Sequence, residues 1–263
     1  MFKSLPSLDK VSSRDNFSTP RIFVLRLKPS EEQDKEVALL VERDERLSQH
    51  EGVVTSVSLR FHYQIISGTV LGRMREGGEF SASYECCIMG GPHVRLTSSF
   101  ISEGGYCVVD PGWLAGRGIG SFFMNEIVHW ARQWPEASVM PVRLLESDAR
   151  GENTSRRNRF YENFGLIFEY LDERKLAGRS APMLAKDLTP LSEEKRLSLS
   201  AKLEWCNLDE YLSEQVREKG MLEMERWGLQ NQLKSSTQDW ERAYRSPFRW
   251  AIATFVSKFV RGY

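Results

Sequence analysis

Cysteine and histidine are scarce in this chain of 263 residues, which has four of each. Cys86 and Cys87 are adjacent, and Cys107 and Cys206 lie in apolar stretches, so the pattern is typical of reduced, packed thiols rather than of a disulfide framework. Neither the cysteines nor the histidines have the spacing of zinc ligands. The sequence therefore predicts no disulfide framework and no metal site.

An excess of charge is also missing, because 36 Lys and Arg residues balance 36 Asp and Glu residues. A neutral total argues against a general nucleic-acid-binding protein, although a local basic patch stays open. Residues 1–20 lack the apolar segment of a signal peptide and read as a flexible tail, so we expect a cytoplasmic protein.

What the sequence does contain is a distinct stretch that predicts a strand over 104–111, a glycine-rich loop and a helix over 119–134. The β-branched run ends at Pro111, glycines recur at positions 116, 118 and 120, and apolar residues then follow at helical spacing. A parallel strand reached through this helix would place the loop at the carboxyl end of the sheet, where ligands gather.

The loop offers main-chain N–H groups over Arg117 to Ser121, at the positive end of a helix dipole. Such an end binds anions like phosphate, and Arg117 would add a cation. A tight turn without a ligand is the alternative, and the spacing leaves both interpretations open. It is not a P-loop, because Gly120 is followed by Ser121-Phe122, and the glycine spacing differs from a dinucleotide fingerprint.

The other predicted elements follow from periodicity and turn residues. They are a strand over 22–27, a helix over about 30–47, a strand over 57–65, one or two strands between 68 and 105, a strand over 139–145, a helix over 153–164, strands over 166–170 and 182–188, and helices beyond 189. His62 on the 57–65 strand and His129 on the 119–134 helix are assigned to solvent.

Three of these motifs together resemble the GNAT N-acyltransferases. They are Val109-x-Pro111, Arg117-Gly118-Ile119-Gly120-Ser121, and a helix from Asn153 that closes on Tyr161-Glu162-Asn163-Phe164-Gly165-Leu166. The chain departs from the family in having Ala115 where an Arg or Gln is usual, and Leu166 where the family has Phe. The resemblance implies an α/β fold over 21–190, with a central mixed, mostly antiparallel sheet flanked by helices, followed by a helical extension over 191–263.

Membership of that family implies direct transfer of an acetyl or acyl group from coenzyme A to an amine, which could be a small molecule, a peptide or tRNA. Tyr161 then matches the family's general acid, although its ring could also simply pack beside Phe160 and Phe164. Glu103 is the candidate base, with a water relay to Glu85 or Glu146 as the alternative. The resemblance and the loop together assign acyl-CoA binding to Val108, Val109, Gly116, Arg117, Gly118, Ile119, Gly120, Ser121, Asn153 and Arg156.

The role of Asn153 is open between cofactor contact and helix capping, and the arginine run from Arg156 is open between a solvated face and a contact to the 3′-phosphate. Two other functions stay open. Ala115 fits a non-catalytic acyl-CoA-binding module, and the arginine run fits a toxin-like enzyme that acetylates aminoacyl-tRNA.

The C-terminal helices predict packing on the domain or a homodimer rather than a long coiled coil. Residues 247–260 form an amphipathic segment that is too short to span a bilayer. Docking on the protein itself or on a partner is favoured there over contact with a membrane surface.

Overall fold

The structure is a computed structural model that describes residues 22–29, 36–68, 77–87, 90–97, 109, 112–149 and 153–260. These residues have a mixed α/β architecture, with a large, mostly antiparallel sheet and five α-helices. The chain divides into two compact units, Met1–Leu208 and Asp209–Tyr263.

The described part of the first unit contains two sheets and three α-helices. The large sheet has the order β10-β1-β2-β3-β4-β5-β6, with β1 (Ile22–Leu27), β2 (Val37–His50), β3 (Val53–Ser67), β4 (Gly77–Cys87), β5 (Gly91–Arg95), β6 (Ser138–Val139) and β10 (Leu203–Asn207). The small sheet has the order β7-β9-β8, with β7 (Arg143–Leu144), β8 (Phe168–Tyr170) and β9 (Gly178–Ser180). The helices are α1 (Ile119–Ala131), α2 (Asn153–Glu162) and α3 (Glu193–Ser200).

Helix α1 covers one face of the large sheet. Its Phe123 is fully buried, with ring centroids 5.1 Å from Phe61 of β3 and 4.8 Å from Phe80 of β4. Aromatic pairs at these separations stabilise a core beyond the area that they bury. The core therefore lies between α1 and the middle strands, β3 and β4. This packing holds α1 against the sheet.

The paired strands among the described residues are antiparallel except for β5 and β6, which run parallel. The chain between these two strands includes α1. Two parallel neighbours must be joined by a crossover, and α1 is part of this one.

The prediction for 57–65 is confirmed, because Val57, Leu59, Phe61, Tyr63 and Ile65 alternate with polar residues and are all buried in β3. Residues 68–105 contain β4 and β5, as expected. The helix predicted over about 30–47 is wrong over its described part, since residues 37–50 form β2. The apolar run at the start of β2 pairs with β1 on one side and β3 on the other, and this burial outweighs the helical spacing.

Other strand predictions need correction. The single strand expected over 139–145 is two short strands, β6 and β7, which belong to different sheets. The strand expected over 182–188 is wrong, because β9 lies earlier and Ala185–Asp187 form a 3-10 turn. The strand expected over 104–111 lies outside the described residues apart from Val109.

The second unit consists of α4 (Leu208–Arg245) and α5 (Pro247–Val260). Helix α4 runs for 38 residues through Gly220 and Gly228, and Tyr211 is its one buried residue. Among the described helices, none has the length and apolarity needed to cross a membrane.

Candidate functional site

The N-terminus of α1 is the centre of the candidate site. Gly118 is the N-cap residue, with φ 91°, and Gly116 has φ 82°, so both adopt the left-handed conformation that favours glycine. The first helical hydrogen bond runs from the Phe122 N–H to the Gly118 carbonyl, at 2.9 Å. The N–H groups of Ile119, Gly120 and Ser121 therefore precede the intrahelical bonds.

These N–H groups are not capped by a side chain of the helix. Gly118 provides no side-chain cap, and the first turn of α1 contains no acidic residue. Most helices place Ser, Thr, Asp or Asn at this position to satisfy the first N–H groups. The start of α1 therefore keeps the electropositive character that an anion would recognise.

One side of the loop is covered by residues far along the chain. A Cβ at Gly118 would come within 2.5 Å of Leu199 Cδ1 in α3 and 3.3 Å of Leu203 Cδ2 in β10. No local pattern predicts this contact, because neither leucine lies near the loop in the chain. A side chain at position 118 would therefore displace Leu199 in addition to straining the left-handed backbone.

Another side of the loop faces α2. A Cβ built on Gly120 would lie 3.5 Å from the Phe160 ring and 3.6 Å from Val109 Cγ2. Position 120 thus brings the predicted strand end, the glycine loop and α2 together. Phe160 was not predicted as a site residue, although it precedes Tyr161 in the motif.

The Arg117 side chain turns away from solvent. Its Nη2 donates to the Leu27 carbonyl at 3.3 Å and also to the Lys28 carbonyl, and the residue is 9% exposed. Burial lowers the pKa of Arg117. The guanidinium therefore ties the glycine loop to the end of β1.

Tyr161 lies on the inner face of α2 and is 3% exposed. Its ring centroid is 5.0 Å from that of Phe160 and 5.9 Å from that of Phe168. The next turn ends at Gly165, whose φ of 87° closes the helix as the sequence predicts.

Asn153 and Arg156 form a linked pair at the start of α2. Asn153 Nδ2 donates to the Asp148 carbonyl at 2.6 Å, and Arg156 Nη2 donates to Asn153 Oδ1 at 2.8 Å. Asn153 thus joins α2 to the preceding 3-10 turn, while Arg156 is exposed.

The neighbouring Arg157 stabilises the structure around α2. It donates to the carbonyls of Leu145 at 2.7 Å and Leu176 at 2.8 Å, and to the side chain of the buried Asn158. The arginine run is therefore divided between one residue that links loops and two, Arg156 and Arg159, that face solvent.

Glu103 and Val108 lie outside the described residues. Glu146 is exposed in its 3-10 turn, and Glu85 Oε2 lies 3.5 Å from His93 Nε2. In the described part of the chain, no three His, Cys, Asp or Glu side chains are grouped as metal ligands.

Comparisons with protein-family models, curated proteins and solved structures found no match to this chain. The function must therefore be inferred from the residues and their geometry.

Proposed function

We propose that the chain is an acyl-CoA-dependent N-acyltransferase of the GNAT type. The observation that carries this proposal is the start of α1, where uncapped N–H groups follow two glycines in the left-handed conformation. The diphosphate of coenzyme A would lie against the N–H groups of Ile119, Gly120 and Ser121.

The residues present at the loop fit such a group. Charge-assisted hydrogen bonds contribute about 1.5–3 kcal/mol each, so three N–H groups and the helix dipole would favour a bound diphosphate. Gly116 has open space around it, with no heavy atom within 4 Å of a built Cβ. Arg117 takes a positioning role in this proposal, because its guanidinium holds the loop against β1.

The sheet supports the same interpretation. In the fold that the resemblance implies, acyl-CoA lies where a glycine loop follows one strand and a helix leads back to a parallel neighbour. The described chain has a parallel pair in β5 and β6, with both the strand predicted over 104–111 and α1 between them in sequence. In the proposal, the main chain at Val108 and Val109 aligns the pantetheine.

Bound acyl-CoA would supply the thioester whose carbonyl carbon accepts the amine. As the new C–N bond forms, the C–S bond breaks, the amine loses a proton and the departing sulfur gains one. We assign the sulfur's proton to the Tyr161 hydroxyl and removal of the amine proton to Glu103.

A thioester-consumption assay tests the proposal. Acetyl-CoA would be incubated with the full chain and a panel of amines, polyamines, peptides and aminoacyl-tRNA, and released thiol would be measured. Turnover with one acceptor class supports the proposal and identifies the acceptor. Binding of coenzyme A without turnover on any acceptor would instead indicate a non-catalytic module, and absence of binding would exclude both.

A further inference from the structure

The final helix, α5, has an apolar face that the protein leaves exposed. Phe248 is 86% exposed, Ile252 65%, Phe255 66% and Val256 53%. At 100° per residue, these four side chains fall within one third of the helix circumference. They therefore form one continuous patch, which we call the α5 apolar face.

The opposite side of α5 is oriented toward α4. Trp250 lines a hollow of about 280 Å³ together with α4 residues that include Trp240 and Ala243. Thr254, one turn further on, is half-buried. The α5 apolar face thus lies on the side of α5 opposite Trp250.

The sequence of the α5 segment is basic. After Glu241 the sequence contains no Asp or Glu. The same segment contains five basic residues, Arg242, Arg245, Arg249, Lys258 and Arg261. A surface that matches α5 must therefore be apolar at its centre and negatively charged around it.

The length of α5 limits how it can meet such a surface. Its 14 residues extend roughly 21 Å at about 1.5 Å per residue, which is shorter than the hydrocarbon core of a bilayer at about 30 Å. An exposed aromatic face flanked by cations suits a helix that lies in the plane of the headgroups. A second copy of α5 fits less well, because pairing two such segments would bring their cations together.

We propose that α5 binds the surface of a membrane that contains anionic lipids, with the α5 apolar face inserted among the acyl chains. Arg249 and the neighbouring cations then face the anionic headgroups. This inference is independent of the acyltransferase proposal, since it depends on residues of the second unit alone.

Vesicle flotation with the full chain tests this proposal. Two vesicle types are compared, one of phosphatidylcholine alone and one in which a quarter of the lipid is phosphatidylglycerol. We expect at least about tenfold more protein on the anionic vesicles, and less as salt is added, because added ions screen the attraction.

Two matched variants locate the contact. Phe255→Glu places a carboxylate in the α5 apolar face, whereas Leu229→Glu makes a similar change at an exposed position of α4, where Leu229 is 60% exposed. We expect Phe255→Glu to abolish flotation and Leu229→Glu to float like the wild type. Arg249→Gln should weaken binding to anionic vesicles alone.

Three results would overturn the proposal. The first is a wild-type chain that binds neither vesicle. The second is a Phe255→Glu variant that floats as well as the wild type. The third is a wild-type dimer in light scattering that Phe255→Glu converts to a monomer while neither form binds lipid, since the face would then join two copies of the chain.

Discussion

Gly118 at the start of α1 lies directly against Leu199 of α3, so that a Cβ at position 118 would come within 2.5 Å of the leucine Cδ1 atom. The two residues are 81 positions apart in the sequence. The contact shows that α3 helps to hold the glycine loop in place.

Replacement of Gly118 by Ala should therefore destabilise the first unit in two ways. The left-handed backbone costs about 1–2 kcal/mol for a residue with a Cβ, and the contact with Leu199 adds overpacking of about 1–3 kcal/mol. Gly116→Ala is the matched control, because Gly116 has a similar φ but a Cβ built on it meets no heavy atom within 4 Å. In urea, the Gly118→Ala protein should have a lower free energy of unfolding than the Gly116→Ala protein.

The double variant Gly118→Ala/Leu199→Ala isolates the contact. We expect Leu199→Ala to be less destabilising in the presence of Gly118→Ala than alone, by about 1 kcal/mol or more, since the two substitutions are in contact. Additive effects would contradict the close approach of the two residues.

We expect Arg117 to contribute mainly to the free energy of unfolding rather than to ligand binding. Arg117→Ala removes a donor from the carbonyls of Leu27 and Lys28, and loss of a buried hydrogen-bond partner costs about 1–3 kcal/mol. The exposed Arg156→Ala should change the free energy of unfolding by less than about 0.5 kcal/mol. An Arg117→Ala protein with wild-type stability in urea would show that the guanidinium does not anchor the loop.

The phenol of Tyr170 should lose its proton at a higher pH than an exposed tyrosine does. Its pKa is raised to about 12, chiefly by burial and further by the hydrogen bond to Glu162 and that carboxylate's charge, while the charge of Arg157 opposes the shift. The folded state thus favours the neutral phenol. Its contribution to stability is present below pH 10.0, the ordinary pKa of the group, and is lost as the pH rises toward 12.

Phenolate absorbance measures this directly. Tyr170→Phe should remove the absorbance of a tyrosine that ionises at a higher pH than the exposed tyrosines. In a chain that keeps Tyr170, Glu162→Gln should move the titration of Tyr170 to lower pH. If Tyr170→Phe instead removes absorbance that appears near pH 10.0, the hydrogen bond to Glu162 does not hold in solution.

Tyr161→Phe tests the proposed general acid. Loss of a positioned acid lowers turnover by about 10²–10⁴-fold, whereas coenzyme A affinity should stay close to that of the wild type. Thermal unfolding serves as the control, because Tyr161 is also part of the core. An unchanged rate with a preserved fold would remove Tyr161 from the mechanism.

Local patterns in the sequence predicted the elements next to the site. Alternation identified β3, helical spacing identified α1, and the glycine at 165 marked the end of α2. Glycines at positions 116, 118 and 120 fit either a backbone conformation that a Cβ forbids or a close approach by another group, and Gly116 and Gly118 adopt such a conformation.

Contacts between distant residues were not predictable in the same way. Residues 37–50 fit a helical spacing, and they became a strand because β1 and β3 flank them. Strand β10 lies near the end of the first unit in sequence, yet it pairs with β1 near the start. The sequence predicted helices, not a strand, in the region of β10. The contact between Leu199 and Gly118 also joins residues that are far apart in the sequence. The same is true of the hydrogen bond from Arg117 to the end of β1.

Calorimetric titration with coenzyme A is the most direct test of diphosphate binding at the start of α1. Ser121 is the third residue of that helix, where a Glu side chain favours helix formation but would compete with phosphate for the N–H groups. We predict that the wild type and Ser121→Gln bind coenzyme A, and that Ser121→Glu remains folded but binds at least about tenfold more weakly, a difference of about 1.4 kcal/mol. A wild-type chain that does not bind, or a Ser121→Glu variant that binds like Ser121→Gln, would contradict the account.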